Sequence, residues 1–199
     1  MSVKTLRDEH ADATRAALLR SARTLFTRKG FNGVSAEEIA KHARVTRGAL
    51  YHHFKDKQDL FGYVCDEIGE ELGKRIEQVA MPLVTEDPWR GFALGIDEFL
   101  DACAEGEFQR LAIVEGPAIF GWQEWREHAE MHMLGLIRLG IQILMDAGII
   151  AKQPIDLLAP MFFSVLNEAA MLIGQADDRE TARREVGETV HRLLEGLRT

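Results

Sequence analysis

The sequence predicts an all-α protein in two parts, a three-helix unit over residues 1–57 and a larger helical body over 58–199. Three observations predict it. Apolar residues recur at spacings of three and four, and no stretch of useful length alternates as a strand would. Two short helical segments near residue 40 are joined by a turn of three or four residues, the arrangement of a helix-turn-helix. Finally, charge changes sign along the chain. Residues 1–57 hold twelve Lys/Arg against six Asp/Glu, whereas 58–199 hold twelve against twenty-six. The whole chain carries −8, yet its first part carries +6, the asymmetry expected when one part meets a polyanion.

Composition bounds the rest. With 46% apolar and 28% charged residues, the 199-residue chain falls among ordinary globular proteins, which excludes a disordered tail or a collagen-like fibre. Its two cysteines, Cys65 and Cys103, form no CxxC and no disulfide framework. Met1 to His10 is charged, without the apolar run of a secretory leader. The most apolar segment, Leu157–Gly174, is interrupted by Pro160, Asn167 and Glu168, which argues against a membrane span. A soluble, cytoplasmic protein is expected.

The first helix is expected from about Asp12 to Lys29, with Leu18, Ala22, Leu25 and Phe26 on one face and Gly30 stopping it. Ser35-Ala-Glu-Glu38 fits a capping box: Ser35 as N-cap, Glu38 reaching back, Ile39 and Ala40 facing inward. After Arg44-Val45, Thr46 caps a second short helix carrying Leu50 and Tyr51. The turn calls for a residue at positive φ, and Arg44 occupies the place where glycine fits best. Longer helices follow at 58–81, 88–104, 107–115, 122–147, 155–174 and 179–197, punctuated by Pro82, Pro88, Pro117 and Pro154.

The residues Leu25-Phe26, Lys29-Gly30-Phe31, Ser35, Ile39-Ala40, Val45-Thr46-Arg47-Gly48-Ala49-Leu50-Tyr51, Phe54, Lys57 and Leu60-Phe61 closely resemble the DNA-binding domain of tetracycline-repressor-like (TetR) regulators. The resemblance covers roughly residues 12–62. It implies a helix-turn-helix domain joined to an effector-binding and dimerisation domain, and a regulator, most often a repressor. The partners expected are double-stranded operator DNA of pseudo-palindromic sequence, a second copy of the chain and a small apolar or amphipathic effector bound within the second part. Arg44 departs from the commoner glycine.

Physical reasoning points to the same residues. A recognition helix enters the major groove N-terminus first, so Thr46, Arg47, Gly48 and Ala49 should read bases. Arg47 can grip a guanine edge, Gly48 permits close approach, and Ala49 can meet a thymine methyl. Tyr51 and His52 are placed for phosphate or base contact, although Tyr51 also reads as a core aromatic. Ser35 and Lys57 stand at helix N-termini, where backbone N–H groups favour a phosphate. Arg15, Arg20, Arg23, Arg28 and Lys41 read equally as phosphate contacts or as a solvated face, and His53 as partly buried support.

Beyond residue 62 the sequence is less explicit. Segment 155–174 is apolar nearly all round, so it needs cover on more than one side. With the stripe of the last helix it suggests a dimer interface through Leu158, Phe162, Leu166, Val190 and Leu194. An effector pocket is expected among Phe99, Cys103, Trp122, Trp125, His128, Met131, His132 and Asn167. The Gly116–Trp122 stretch, GPAIFGW, is similar to one subgroup of TetR C-terminal domains. His128 and His132 share a helix face near Glu124 and Glu127, but no HExxH string is present, and no metal or cofactor is expected. No GxSxG, P-loop or GxGxxG string occurs, so an enzyme is not expected. Two other classes stay open: an all-α enzyme or metal-dependent hydrolase around His128 and His132, and a helical ligand- or protein-interaction module whose helix-turn-helix no longer reads DNA.

Overall fold

The computed structural model describes residues 6–104 and 106–199; the stretch Met1–Thr5, part of the charged N-terminus, lies outside them. Its helices are α1 (Leu6–Lys29), α2 (Ala36–His42), α3 (Arg47–His53), α4 (Lys57–Ala80), α5 (Pro88–Ala104), α6 (Gly116–Phe120), α7 (Trp122–Asp146), α8 (Ile155–Gln175) and α9 (Arg179–Glu195). A 3₁₀ turn at Met81–Leu83 and a π-helix at Phe108–Glu115 complete the chain, and no strand forms among the described residues.

The first unit is held by caps and aromatic packing. α1 starts six residues earlier than expected, with Asp8 and Glu9 in its first turn and Arg28 and Lys29 in its last, each sign matched to the helix dipole. Gly30, at φ +74°, ends it by donating to the Phe26 carbonyl at 2.8 Å. Ser35 Oγ accepts from the Glu38 N–H at 3.1 Å, and Thr46 Oγ1 accepts from the Ala49 N–H at 3.2 Å. Arg44 does sit at φ +59°. Leu50 and Phe54 anchor α3 from behind, while Phe61 packs edge to face on both Phe26 and Phe31 at 5.2–5.3 Å. One cap lies beyond the sequence reading: Asp56 accepts from the Asp59 N–H, and Asp59 accepts in turn from the Lys55 N–H, which starts α4.

The chain divides between Glu67 and Ile68, inside α4, and not at residue 57. The first part of α4 is built into the N-terminal unit through Leu60, Phe61 and Val64, so a boundary drawn at the start of the helix falls too early.

In the second unit α8 is central. Ala159, Phe162, Phe163, Leu166, Ala169, Ala170 and Ile173 join one core with Leu72 and Ile76 of α4, Phe99 and Leu100 of α5, Ile137 and Ile141 of α7, and Val190 and Leu194 of α9. This corrects the expected dimer face. Phe162, Leu166, Val190 and Leu194 are buried within one copy, and Leu158 packs half-buried against the same core. On α8 and α9 the exposed large apolar side chains are instead Leu157, Met161, Leu172 and Leu193. The physical reason is that a helix apolar all round gives no periodic cue to its rotation. By length and a mean hydropathy of 1.6, α8 is long and apolar enough to cross a membrane despite Pro160, Asn167 and Glu168, and 44% of that stretch is buried inside the fold.

Residues 108–115, expected as ordinary helix, form the π-helix. The buried Gln109 donates to the Gly174 carbonyl at 3.0 Å, satisfying an otherwise orphaned acceptor in the last turn of α8. Gly174 has to be glycine there, because a Cβ would stand 2.8 Å from Ile113.

Candidate nucleic-acid interface

α3 is fixed on one side and open on the other. Thr46 caps it, Leu50 and Phe54 bury its inner face, and Arg47, Gly48, Tyr51 and His52 are exposed, with Ala49 half-buried between them. The Arg47 guanidinium lies 5.4 Å from the centre of the Tyr51 ring, one helical turn away. This cation–π contact pre-orients a long cationic side chain that solvent would otherwise leave free. A Cβ at Gly48 would meet only Thr46 Oγ1 at 3.8 Å, so nothing among the described residues requires the glycine. It keeps the surface flat where another molecule can approach. Ser35 is exposed at the start of α2, its Oγ engaged in capping.

Two basic residues point elsewhere than expected. Lys57 donates from Nζ to the carbonyls of Phe31 and Val34, both at 2.9 Å, and its ammonium lies 3.9 Å from the Phe31 ring centre. Burial holds its pKa below the usual lysine value. Lys57 is therefore foremost a clamp on the α1–α2 turn, and the expected phosphate contact is left at most one of its three N–H groups. Arg15 stacks over Tyr63 at 4.5 Å and Phe54 at 5.3 Å, behind the recognition helix. His53 is half-buried, and its pKa is lowered first by desolvation and then by the charges of His52 and Arg15, with Asp12 opposing. Glu38 is lowered chiefly by its hydrogen bond to Lys29, with the Ser35 N–H adding the reciprocal half of the capping box.

The second unit contains an apolar cavity of about 80 Å³, walled by Ile76, Phe92, Phe99, Ile137, Phe162 and Leu166 among others. Among the described residues, Glu77 is the one charged side chain on its lining. Of the expected effector residues, only Phe99 reaches it. Cys103 is part of the core, its thiol pKa pushed far up by burial, so it is an inert thiol. Trp125 packs on Gly116, where a Cβ would come within 2.8 Å of the indole. His128 stacks on Phe120 at 5.2 Å, and His132 packs on Gly69. Trp122 and Met131 are exposed, and Asn167 is half-buried outside the lining. The aromatic cluster after Gly116 lies in the packing around α6 and the first half of α7 and not on this lining. Gly91, Gly95 and Gly140 on the lining let Leu83, Ile76 and Phe92 respectively approach closely, and a glycine gives no side-chain signal of this in the sequence.

Residues 18–64 match the tetR family of bacterial regulatory proteins, and residues 89–197 match the tetracyclin repressor-like C-terminal domain. The second match alone spans more than half the chain. The protein belongs to the TetR family. It is similar to the TetC protein of transposon Tn10 from Escherichia coli, 27% identical over 158 residues, 79% of each chain. It is 49% identical over 51 residues to the transcriptional repressor BepR of Brucella suis, covering 26% of this chain and 24% of that one, so this likeness speaks for a segment alone. The crystal structure of a TetR-family transcriptional regulator from Pectobacterium atrosepticum superposes with a TM-score of 0.86 at 29% identity, over 96% of this chain and 97% of that one. As a TetR-family member the protein is a transcriptional regulator with a DNA-binding helix-turn-helix, which accounts for the basic first part that charge alone indicated.

Proposed function

We propose that the protein is a cytoplasmic repressor that binds a pseudo-palindromic operator as a homodimer and is released by a small apolar or amphipathic effector. Arg47, Gly48 and Ala49 read base edges, Thr46 caps the helix that carries them, and Tyr51, His52 and the α2 terminus at Ser35 engage base or backbone. Two recognition helices related by a two-fold axis meet successive major grooves, about 34–36 Å apart or somewhat more. The exposed Leu157, Met161, Leu172 and Leu193 form the face that a second copy covers. The acidic second part, with twelve basic against twenty-six acidic residues, keeps the dimer from coating DNA indiscriminately.

The observation that carries the ligand-responsive reading is the apolar cavity, lined by Ile76 of α4. α4 also supplies Leu60 and Phe61 to the core of the DNA-binding unit, so one continuous helix can bring a change at the cavity to α3. At about 80 Å³ the cavity is smaller than the ~150 Å³ that admits benzene, so an effector has to widen it. Widening that displaces α4 disfavours the DNA-binding conformer, with a coupling of about 1–3 kcal/mol.

The test is fluorescence anisotropy on the DNA upstream of the protein's own gene, at two salt concentrations and with random competitor, followed by a screen of uncharged apolar compounds. Competitor-resistant binding that weakens steeply with salt and is relieved by a subset of compounds is expected. A single operator affinity across all compounds overturns the effector reading, and no binding at low salt overturns the regulator reading for this DNA.

A further inference from the structure

The recognition helix leaves one basic feature of the N-terminal unit unexplained. An open pocket of about 280 Å³ lies between the second half of α1 and the α2–α3 turn, lined by Arg20, Ser21, Thr24, His42 and Arg44. Arg20, His42 and Arg44 are exposed. Lys29, further along α1, is paired with Glu38, but among the described residues no carboxylate lies within ion-pair reach of Arg20 or Arg44. Arg44 also stands in the left-handed region, where any side chain beyond glycine is strained. The fold thus holds a guanidinium at a strained turn, facing a concave surface that a second guanidinium shares.

Position tells what this pocket faces. Arg44 precedes Thr46 by two residues, at most about 7.6 Å of chain, so it stands beside the end of α3 that enters the groove. Ser35 lies at the opposite end of α2, about 12 Å away at 1.5 Å per residue. The major groove is itself about 12 Å wide. The two ends of α2 therefore suit the two phosphate strands that border one groove. Resting on the DNA-reading assignment of α3, we propose that Arg20 and Arg44 seat a backbone phosphate of operator DNA, on the strand across the groove from the one at Ser35. His42 and Ser21 complete the wall, and the spare volume admits bridging water.

The test uses the full-length protein, an operator duplex and a random duplex, with Arg20→Ala and Arg44→Gly as variants and Lys152→Ala as a control for loss of charge elsewhere. Arg44→Gly relieves the positive φ and is expected to melt no lower than the wild type. Each pocket variant is expected to weaken both duplexes by a similar factor, about tenfold, and to lower the salt slope by about 0.9 for each phosphate it no longer neutralises. Sequence preference stays unchanged, and Lys152→Ala leaves the slope alone. Wild-type affinity and slope in both pocket variants, with the wild type still selecting its operator, overturn the phosphate seat while leaving the α3 reading intact. A changed sequence preference in either variant overturns it as well, because it marks a base contact. A wild type that prefers no sequence overturns the α3 reading and this inference together.

Discussion

Replacing Met161 by Glu separates the exposed face of α8 from the buried one. Met161 is 68% exposed, Leu157 64%, Leu193 55% and Leu172 54%. Fully burying such a side chain contributes about 1.5–3 kcal/mol, so covering what these four expose contributes about 1–2 kcal/mol each. A two-fold interface counts each residue twice, giving roughly 8–16 kcal/mol before association costs of about 4–15 kcal/mol. The surplus is narrow. Met161 alone supplies about 2–4 kcal/mol of that total, and a carboxylate in its place adds a desolvation penalty. Met161→Glu should therefore be a folded monomer at micromolar concentration, by light scattering together with circular dichroism. Leu166 is 3% exposed and lies in the core, so Leu166→Glu buries an unpaired charge and should lose its fold instead, a destabilisation beyond about 4 kcal/mol. A Met161→Glu dimer as tight as the wild type would refute this interface. So would a Leu166→Glu protein that is folded and monomeric, which would restore the face first expected from the sequence.

Three further outcomes are expected. Arg47→Ala should relax sequence preference by about 1–3 kcal/mol at one base position while changing affinity for random DNA little, and Tyr51→Ala should reproduce part of that loss because it frees Arg47; equal losses on all sequences would make Arg47 a backbone contact. Lys57→Met keeps the stem but removes two hydrogen bonds and a cation–π contact, so the denaturation midpoint should fall by the equivalent of about 1–3 kcal/mol with an unchanged m-value. Unchanged stability with uniformly weaker DNA binding would return Lys57 to a phosphate-contacting role. His53 has a folded-state pKa below its ordinary 6.5, so as pH falls through 6.5 the unfolded chain takes up the proton first. Stability should therefore decline on acidification from about pH 7 towards the lowered folded value and be independent of His53 above that window. Urea titrations at about pH 7.5 and 5.5, on either side of the ordinary histidine value, should show this decline in the wild type and a smaller one in His53→Gln; an equal decline in both would assign it to other groups.

Local rules make the N-terminal unit legible. Ser35 and Thr46 announce helix starts because their oxygens can accept the orphan N–H groups of the first turn, and both do so here. Arg44 is readable as a positive-φ residue because turns between two such short helices commonly hold one, at the place where glycine fits best. Lys57 escapes these rules for an equally physical reason. A helix N-terminus attracts phosphate wherever it is free, but the side chain there can turn back, and the carbonyls of Phe31 and Val34 lie more than twenty residues away in sequence. No local rule sees such a partner.

The second unit is legible as helices and illegible as surfaces, and α8 shows why. Apolar positions spread around its axis determine that it is buried, yet they distinguish no side of it. Rotation is set by neighbours: Gly174 admits Ile113, Gln109 ties the last turn of α8 to the π-helix, and Phe162 leans on Phe92 at 5.8 Å. These contacts turn Phe162 and Leu166 towards the cavity and leave Leu157 and Met161 outside. The cavity and the outer face are thus opposite sides of one helix, held in a single rotational setting. A ligand that widens the cavity against Phe162 and Leu166 pushes on the helix whose outer face a second copy covers. In the proposed dimer, then, effector binding should alter the dimerisation constant as well as operator affinity, and by linkage dimerisation should alter effector affinity by the same factor.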